Sequence, residues 1–204
     1  MTADVLGVFV KAPVVGRVKT RLAADLGARQ AARLYRQLGR TVIANCARPA
    51  SYRTVVWFAP RERGVTVRSW LDDLAVDAFL PQQGDDLGAR LIAAFDEHFR
   101  AGAKRVTIIG SDCPDVADPL VRRAFAALRR ADAVIGPTLD GGYYLIALKR
   151  PAPGLFRAIA WSTTDVLAMT LARARRLRLH IALLPTLRDV DTAHDARALG
   201  LVSS

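Results

Sequence analysis

The sequence has little cysteine, no long apolar run and no nucleic-acid-binding motif, and each absence excludes a class of protein. Its 204 residues include only two cysteines, Cys46 and Cys113, which provide neither a disulfide framework nor metal-ligand spacing. No apolar stretch approaches the roughly 20 residues that span a bilayer, and the N-terminus lacks a signal-peptide pattern. We therefore expect a cytoplasmic chain without stable membrane insertion.

Acidic residues are also few in comparison with basic ones. The chain has 30 lysines and arginines against 19 acidic residues, a formal net charge of +11. Such a charge favours anionic partners, which include nucleic acids, anionic membranes and acidic small molecules. The arginines are scattered along helix-like stretches without interleaved aromatic residues, a spacing that a solvated helix face explains as well as a binding patch. We expect small anionic ligands and no nucleic-acid partner, and the oligomeric state stays open.

Short apolar runs alternate with longer helix-like segments, which is typical of an α/β domain with a mostly parallel sheet. The predicted strands are 4–10, 52–59, 78–81, 105–110, 132–137, 143–149 and 179–185. The predicted helices lie near 28–47, 86–101, 118–130, 162–177 and 193–200. No repeat, low-complexity tract or linker interrupts the chain. We predict one domain over residues 1–204, with three layers in the order α/β/α.

Three segments have the form of helix N-termini. Asp118 followed by Pro119 predicts an N-cap with proline at the first helical position. The segments "STTD" (162–165) and "TAHD" (192–195) have the form of a capping box, in which a hydroxyl and a carboxylate satisfy backbone amides. These residues thus have structural explanations. The three histidines lack carboxylate partners in register, and none is assigned to catalysis.

The stretch "FVKAPVVGRVKTRL" (9–22) places four cations directly after the first predicted strand. Ligands of open α/β sheets bind beyond the carboxyl ends of the strands. Pro13 and Gly16 predict a turn whose amides face an anion, and a short helix from Thr20 to Gly27 adds a favourable dipole. The four cations are Lys11, Arg17, Lys19 and Arg21. We interpret the segment as a phosphate-binding loop, with a solvated surface loop as the alternative; its glycine spacing is not that of a Walker loop.

A second polar segment, "IIGSDCPDV" (108–116), delivers Ser111 and Asp112 to the tip of a strand. A carboxylate near a phosphate-binding loop suits a hard divalent cation that bridges the protein to a diphosphate. The alternative is a turn aspartate that bonds its own backbone. Cys113 has no histidine partner nearby, so we predict a small buried residue and not a nucleophile.

Two later segments add carboxylates. Asp140 precedes paired glycines at 141–142, where a hairpin turn is the simplest interpretation, although paired glycines also let a ligand approach the backbone. Asp189 and Asp191 follow the last predicted strand. Asp112, Asp140 and Asp191 place three carboxylates at three strand ends near a basic loop. Together they describe a metal-diphosphate site better than any one of them does alone.

These motifs resemble those of the nucleotide-diphospho-sugar transferase superfamily, which has a GT-A-like fold. The stretches that carry the resemblance are "KAPVVGRVKTRL", "GDDLGARL", "GSDCPD", "GPTLDGGYYLIAL", "WSTTDVLAMT" and "DVDTAHD". More closely, the sequence is similar to a bacterial branch described as glycosyltransferases, sometimes linked to arsenosugar biosynthesis. The same scaffold is similar to 2-phospho-L-lactate guanylyltransferase and to the molybdenum-cofactor guanylyltransferases.

The resemblance implies a role for each segment, with the opening loop holding nucleotide phosphates and "QQGDDLGARL" bordering the nucleotide pocket. The implied nucleotide-binding residues are Lys11, Pro13, Gly16, Arg17, Lys19, Arg21, Gln83, Gly84, Arg90, Ser111 and Asp112. The implied acceptor-side residues are Gly141, Gly142, Tyr143 and Trp161. An aromatic residue before a helix, such as Trp161, is also typical of a packing anchor.

The resemblance further implies Mg²⁺ or Mn²⁺ at Asp112 and Asp191, and a catalytic set of Asp112, Asp140 and Lys19. The implied reaction transfers a glycosyl group from a nucleoside-diphosphate sugar to a small-molecule acceptor. A Lys-x-Pro-x-x-Gly turn stands where the nucleotidyltransferases of the superfamily have a glycine-rich loop. Nucleotidyl transfer with release of pyrophosphate therefore stays open as the second reaction. A non-catalytic nucleotide-binding module is a third possibility, and the three carboxylates argue against it.

Overall fold

A computed structural model describes residues 3–47 and 51–202. The strands are β1 Asp4–Lys11, β2 Arg53–Ala59, β3 Ala78–Pro81, β4 Arg105–Ile109, β5 Ala133–Pro137, β6 Tyr143–Leu148 and β7 Ile181–Leu183. The helices are α1 Thr20–Leu26, α2 Ala28–Cys46, α3 Gly64–Leu71, α4 Leu87–Arg100, α5 Asp118–Ala127, α6 Val166–Arg176 and α7 Ala193–Ala198. Short 3₁₀ turns occupy 61–63 and 153–155.

The strands form one sheet in the order β3-β2-β1-β4-β6-β5-β7. Only β6 is antiparallel to its neighbours, so the prediction of a mostly parallel sheet is confirmed. The chain moves from β1 through β2 to β3 on one side and places β4 on the other side of β1. Ligands of such sheets bind at the point where the strand order reverses. The carboxyl ends of β1 and β4 are that point.

Side chains of β1 alternate between two apolar cores, one on each face of the sheet. Leu6, Val8 and Val10 belong to a core that includes buried residues of α2, α3 and α5. Val5 belongs to a second core with buried residues of α4 and α6. The period of two that a strand imposes thus produces the predicted three layers, α/β/α.

The seven predicted strands and the predicted helices are present, with bounds that differ by a few residues. Helix α3 was not predicted. Its sequence begins with Gly64 and continues with three β-branched residues, all of which disfavour a helix intrinsically. Val67, Trp70 and Leu71 lie three and four residues apart and are buried. Tertiary packing of this stripe therefore overrides local propensity.

Two of the three helix-start predictions need correction. The N-cap of α5 is Ala117, and Asp118 instead accepts a hydrogen bond from the Tyr52 hydroxyl at 3.0 Å. Helix α6 begins only at Val166, because 162–165 form a turn that precedes it and not a capping box. The capping box at 192–195 is confirmed in full. Among the described residues, none of the helices has the length and apolarity of a membrane span.

Candidate active site

Three segments that are distant in sequence meet around Lys19 beyond the carboxyl ends of β1 and β4. The Nζ atom of Lys19 lies 2.8 Å from Oδ2 of Asp112 and 3.5 Å from Oδ1 of Asp191. The Lys19 side chain is 5% exposed, whereas the side chains of Asp112 and Asp191 are 41% and 37% exposed. A buried ammonium group therefore lies beneath two carboxylates that remain open to solvent.

Lys19 adopts an unusual backbone conformation to reach this position. It is the residue before α1 and lies in the left-handed region, at φ 48° and ψ 51°. A non-glycine residue pays roughly 1–2 kcal/mol there. Burial alone would lower the pKa of Lys19, but the carboxylates of Asp112, Asp191 and Asp189 raise it by more, so the net pKa is raised. The Lys19 side chain is therefore protonated and positively charged at neutral pH.

Asp112 is supported on its other side by a short chain of hydrogen bonds. The backbone amide of Lys11 donates to the Tyr35 hydroxyl at 2.7 Å, and that hydroxyl lies 3.3 Å from Oγ of Ser111. Ser111 in turn donates to Oδ1 of Asp112 at 3.4 Å. Sequence reasoning missed Tyr35, because an aromatic residue on the apolar face of α2 has the appearance of ordinary core. Its hydroxyl links the start of the basic loop to Asp112.

Asp191 is positioned by the N-terminus of α7. The carboxylate of Asp195 accepts hydrogen bonds from the backbone amides of Asp191 at 3.3 Å and Thr192 at 2.9 Å. Arg21 donates to Oδ2 of Asp191 at 3.1 Å. The Arg21 side chain itself is 71% exposed. The capping box, which sequence reasoning treated as purely structural, thus also holds a candidate metal ligand.

Asp189 joins this group, although sequence reasoning gave it no role. Burial first, and the nearby charge of Asp140 second, raise the pKa of Asp189 to about 6, and Asp191 contributes in the same direction. The charge of Lys19 opposes the shift. Three carboxylates, those of Asp112, Asp189 and Asp191, therefore lie near the buried Lys19 ammonium group, and Asp140 lies near Asp189.

The Asp140 segment is the hairpin turn between β5 and β6. Oδ1 of Asp140 accepts from the Thr138 hydroxyl and from the Gly142 amide. Gly141 has φ 88°, and a Cβ there would lie 2.0 Å from the carbonyl oxygen of Thr164. The turn role that the sequence suggested is therefore present. Asp140 is exposed, and it lies close enough to Asp189 to raise its pKa.

The opening loop brings the remaining predicted cations to the same strand end. Lys11 ends β1 and is exposed, as is Arg17. A turn bond runs from the Arg17 amide to the carbonyl of Val14 at 3.0 Å, and it encloses Gly16 at φ 76°. Pro13 directly precedes this turn. The loop thus presents two exposed cations on the segment that joins β1 to Lys19.

The segment at 83–90 bonds mainly to itself. Asp86 caps α4 by accepting from the Ala89 amide at 2.7 Å, and Nε of Arg90 donates to the carbonyl of Gly84 at 3.0 Å. Gly84 has φ 122°, and a Cβ there would lie 2.6 Å from Cβ of Ala89. Gln83 is exposed. Nucleotide contacts of Gln83, Gly84 and Arg90 stay a prediction.

The aromatic residues predicted for the acceptor side are engaged in packing. The rings of Tyr143 and Trp161 meet edge to face with centroids 6.5 Å apart. Trp161 also packs on α4, since a Cβ at Gly88 would lie 2.9 Å from its Nε1 atom. The Tyr143 hydroxyl is buried, and Tyr144 donates its own to the carbonyl of Pro185 at 3.1 Å. An acceptor role for Tyr143 or Trp161 stays a prediction.

Cys113 adjoins the site but carries no nucleophile. It is buried, and its Sγ donates to the carbonyl of Arg188 at 3.0 Å. Burial first, and the charges of Asp189 and Asp112 next, raise the pKa of the thiol. A thiol with a raised pKa is not a thiolate near neutral pH.

The donor atoms of the site suit a hard divalent cation. Carboxylate oxygens of Asp112 and Asp191 both face the Lys19 ammonium group, so one cation already lies between the two acids. Among residues 3–47 and 51–202, no group of three or more His, Cys, Asp or Glu side chains is arranged to hold a metal ion. Mg²⁺ is commonly bound by one or two carboxylates together with substrate phosphates. The two acids fit that pattern.

Comparison with known proteins places this site in a family context. A family model described as "Uncharacterized protein conserved in bacteria (DUF2064)" matches residues 42–163. A search of curated proteins found no match. A crystal structure from Desulfovibrio desulfuricans G20, provisionally described as a nucleotide-diphospho-sugar transferase, is 36% identical with a TM-score of 0.90. The match covers 98% of this chain and 87% of that one.

More distant structures share the fold alone. The 4-diphosphocytidyl-2C-methyl-D-erythritol synthase of Anaerococcus prevotii DSM 20548 has a TM-score of 0.65 at 11% identity, covering 98% of this chain and 97% of that one. Rv0371c of Mycobacterium tuberculosis H37Rv, in complex with manganese, has a TM-score of 0.52 at 18% identity, covering 96% and 97%.

Proposed function

Because the chain belongs to the bacterial DUF2064 family and to the nucleotide-diphospho-sugar transferase superfamily, we propose that it transfers a glycosyl group from a nucleoside-diphosphate sugar to a small acceptor, with Mg²⁺ or Mn²⁺ as cofactor. The observation that carries the proposal is the cluster of Lys19, Asp112 and Asp191 at the point where the strand order reverses. There a buried cation, exposed cations and exposed carboxylates share one strand edge.

The donor diphosphate binds to the basic loop. Lys11 and Arg17 are exposed at the end of β1, and Arg21 is exposed beside Asp191. Charge-assisted hydrogen bonds from such groups to phosphate oxygens are about twice as strong as neutral ones. In glycosyl transfer the sugar carbon is attacked and a nucleoside diphosphate departs. These cations are placed to stabilise the charge that develops on the departing diphosphate.

Asp112 and Asp191 are the residues that hold the divalent ion. When bound, such an ion neutralises diphosphate charge as a Lewis acid. The Ser111–Tyr35 hydrogen bonds support the Asp112 carboxylate, and the α7 capping box holds the backbone of Asp191. The manganese complex of Rv0371c, which has the same fold at low identity, supports a divalent ion as cofactor.

Asp140 is the proposed acceptor-side carboxylate. Its Oδ1 atom is held by Thr138 and by the Gly142 amide, so the side chain has a fixed direction. The carboxylate is exposed at the same edge of the sheet. A fixed, exposed carboxylate is suited to orient an acceptor hydroxyl and to take its proton.

Nucleotidyl transfer is the second candidate. The 4-diphosphocytidyl-2C-methyl-D-erythritol synthase shares the fold, and the number of cations in the opening loop suits three phosphates as well as two. In this reaction the α-phosphorus of a nucleoside triphosphate is attacked and pyrophosphate departs. The site would have to hold the additional charge of a third phosphate.

A thermal-shift panel in the presence of Mn²⁺ separates these reactions. We expect a nucleoside-diphosphate sugar to raise the melting temperature more than any nucleoside triphosphate does. Ligand at 100 times its dissociation constant adds about 2.7 kcal/mol, which gives a clear shift. Strong stabilisation by GTP or CTP alone, with pyrophosphate released once a phosphorylated acceptor is supplied, would establish nucleotidyl transfer instead. Nucleotide binding without turnover of either kind would indicate a non-catalytic module.

A further inference from the structure

The ammonium group of Lys19 lies where the proposed function requires a divalent ion. It is 2.8 Å from Asp112 and 3.5 Å from Asp191, and it is buried while both acids are partly exposed. Two carboxylates that both face one ammonium group cannot offer the same oxygens to a metal ion at full strength. Lys19 and a divalent ion therefore compete for one pair of acids.

The two acids do not depend on Lys19 alone for their positions. Asp112 is tied through Ser111 to the Tyr35 hydroxyl, which is itself bonded to the backbone of Lys11. The backbone amide of Asp191 is tied to the carboxylate of Asp195, at the start of α7. Arg21 also donates to the Asp191 carboxylate at 3.1 Å, so both acids keep contacts other than Lys19 when the ammonium group moves away.

The backbone of Lys19 is strained, as are those of Ala158, Ser162 and Arg178 among the described residues. It lies in the left-handed region, which a lysine rarely adopts and which persists only when surrounding contacts enforce it. The ion pairs with Asp112 and Asp191 are such contacts. A competing partner for the ammonium group, such as a phosphate oxygen, would remove that constraint.

We propose that Lys19 is a resident counter-ion that keeps divalent metal out of the Asp112–Asp191 pair until a nucleoside diphosphate arrives. This inference rests on the proposed function. Metal alone must displace the ammonium group from Asp112 and Asp191 and leave it buried with only the more distant charge of Asp189 nearby, which is costly. A diphosphate gives the ammonium group new oxyanion partners at the same strand edge. Metal and diphosphate therefore bind cooperatively, and neither binds as well alone.

Replacing Lys19 tests this directly, because the expected change in metal affinity is a gain. Titration of Mn²⁺ without nucleotide, followed by the electron paramagnetic resonance signal of free Mn²⁺, should show Lys19→Met binding on the order of 10-fold more tightly than wild type, within the range typical of coupled sites. Arg21→Met is the matched control. It removes one positive charge from the same Asp191, but from an exposed side chain. The Mn²⁺ affinity of Arg21→Met should differ from that of wild type by less than about threefold, because salt screens an exposed charge.

Equal or weaker Mn²⁺ binding by Lys19→Met, or an equal gain in both variants, would overturn the inference. Melting curves give a second readout. Mn²⁺ together with UDP or GDP should raise the melting temperature of wild type by more than the sum of the rises that each ligand causes alone. For Lys19→Met, the combined rise in melting temperature should be about equal to that sum. Lys19→Gln carries the same expectations if Lys19→Met does not fold. Two outcomes separate this inference from the proposed function. If wild type binds Mn²⁺ in the presence of UDP or GDP, but Lys19→Met shows no gain in Mn²⁺ affinity without nucleotide, this inference alone is refuted. If wild type binds no Mn²⁺ under any condition, the metal-dependent function is refuted as well.

Discussion

The two ends of the β1–β4 pair each carry an ion pair, and the two ion pairs are built differently. At the N-terminal end, Arg105 and Asp4 are register partners, and the guanidinium contacts both carboxylate oxygens, at 2.6 and 2.8 Å. Arg105 also donates to the carbonyl of Phe125 at 2.9 Å. One cation meets one anion here, and each nitrogen of the guanidinium donates a hydrogen bond.

At the carboxyl end, the Lys19 ammonium contacts the carboxylates of both Asp112 and Asp191, Arg21 also contacts Asp191, and the charge of Asp189 lies nearby. The carboxylates of Asp112 and Asp191 stay partly exposed, with side chains 41% and 37% exposed. A bidentate pair engages both carboxylate oxygens with one guanidinium, whereas partly exposed carboxylates that share their cations can also bind a cation from solution. We therefore assign the first pair to stabilising the sheet and propose that the second belongs to a binding site.

The largest expected effect lies in the core that adjoins the stabilising end. His98 of α4 is buried and accepts a hydrogen bond from Nε1 of Trp57 at 3.0 Å. Burial, and then the charge of Arg53 at the start of β2, lower the pKa of His98 to about 4, against 6.5 when unfolded. The unfolded chain therefore binds the proton first as the pH falls. Between pH 6.5 and 4 the free energy of unfolding should fall by about 3 kcal/mol from this group.

Urea unfolding of wild type and His98→Gln at pH 7, 5.5 and 4.5 measures this contribution. The stability advantage of the wild type should be greatest at pH 7 and should shrink as the pH falls. A difference between the two proteins that does not change with pH would show that His98 is not held neutral by the fold.

The next effect breaks the bidentate pair. Asp4→Asn removes the charge of the carboxylate that Arg105 contacts, so the free energy of unfolding should fall by about 2 kcal/mol, the range for hydrogen bonds to charged groups. Affinity for a nucleoside diphosphate with Mn²⁺ should stay within about twofold, because the other end of the strands is unaffected. Chemical denaturation and calorimetry measure the two quantities. A large loss of nucleotide affinity in folded Asp4→Asn would remove the distinction between the two ends.

The smallest effect concerns the exposed rim of the binding end. Arg21→Ala should make the binding free energy of UDP or GDP less favourable by about 1.5 kcal/mol, the contribution of one charge-assisted contact. The matching nucleoside should bind as before, since it has no phosphate, and stability should change little. Calorimetry with each pair of ligands measures the difference. Equal weakening of nucleotide and nucleoside would show that Arg21 does not contact phosphate.

Sequence patterns predicted the layers of the fold because alternation and helical periodicity report burial directly. They failed where burial by distant elements decides, as in α3, and at the start of α6, where a capping-box pattern forms a turn instead. A motif of local spacing was reliable only where its own residues make the contacts, as at 192–195.

For the site, strand-end position was the informative signal. It predicts that Lys19, Asp112 and Asp191 lie at one edge of the sheet, and they meet there in the structure. Strand-end position does not predict how exposed each side chain is. The burial of Lys19 and the hydrogen bond between Tyr35 and Ser111 were therefore found only in the structure. The motif at 83–90 was recognised by resemblance, but its contacts in the structure are largely its own.

The most direct test of the account compares the same substitution at the two ends. Calorimetry should be carried out with UDP and GDP, with and without Mn²⁺, on Asp112→Asn and Asp4→Asn. The account predicts that Asp112→Asn loses the gain in nucleotide affinity that Mn²⁺ provides and keeps its fold, while Asp4→Asn keeps that gain and loses stability. Unchanged Mn²⁺-dependent nucleotide affinity in folded Asp112→Asn would contradict it.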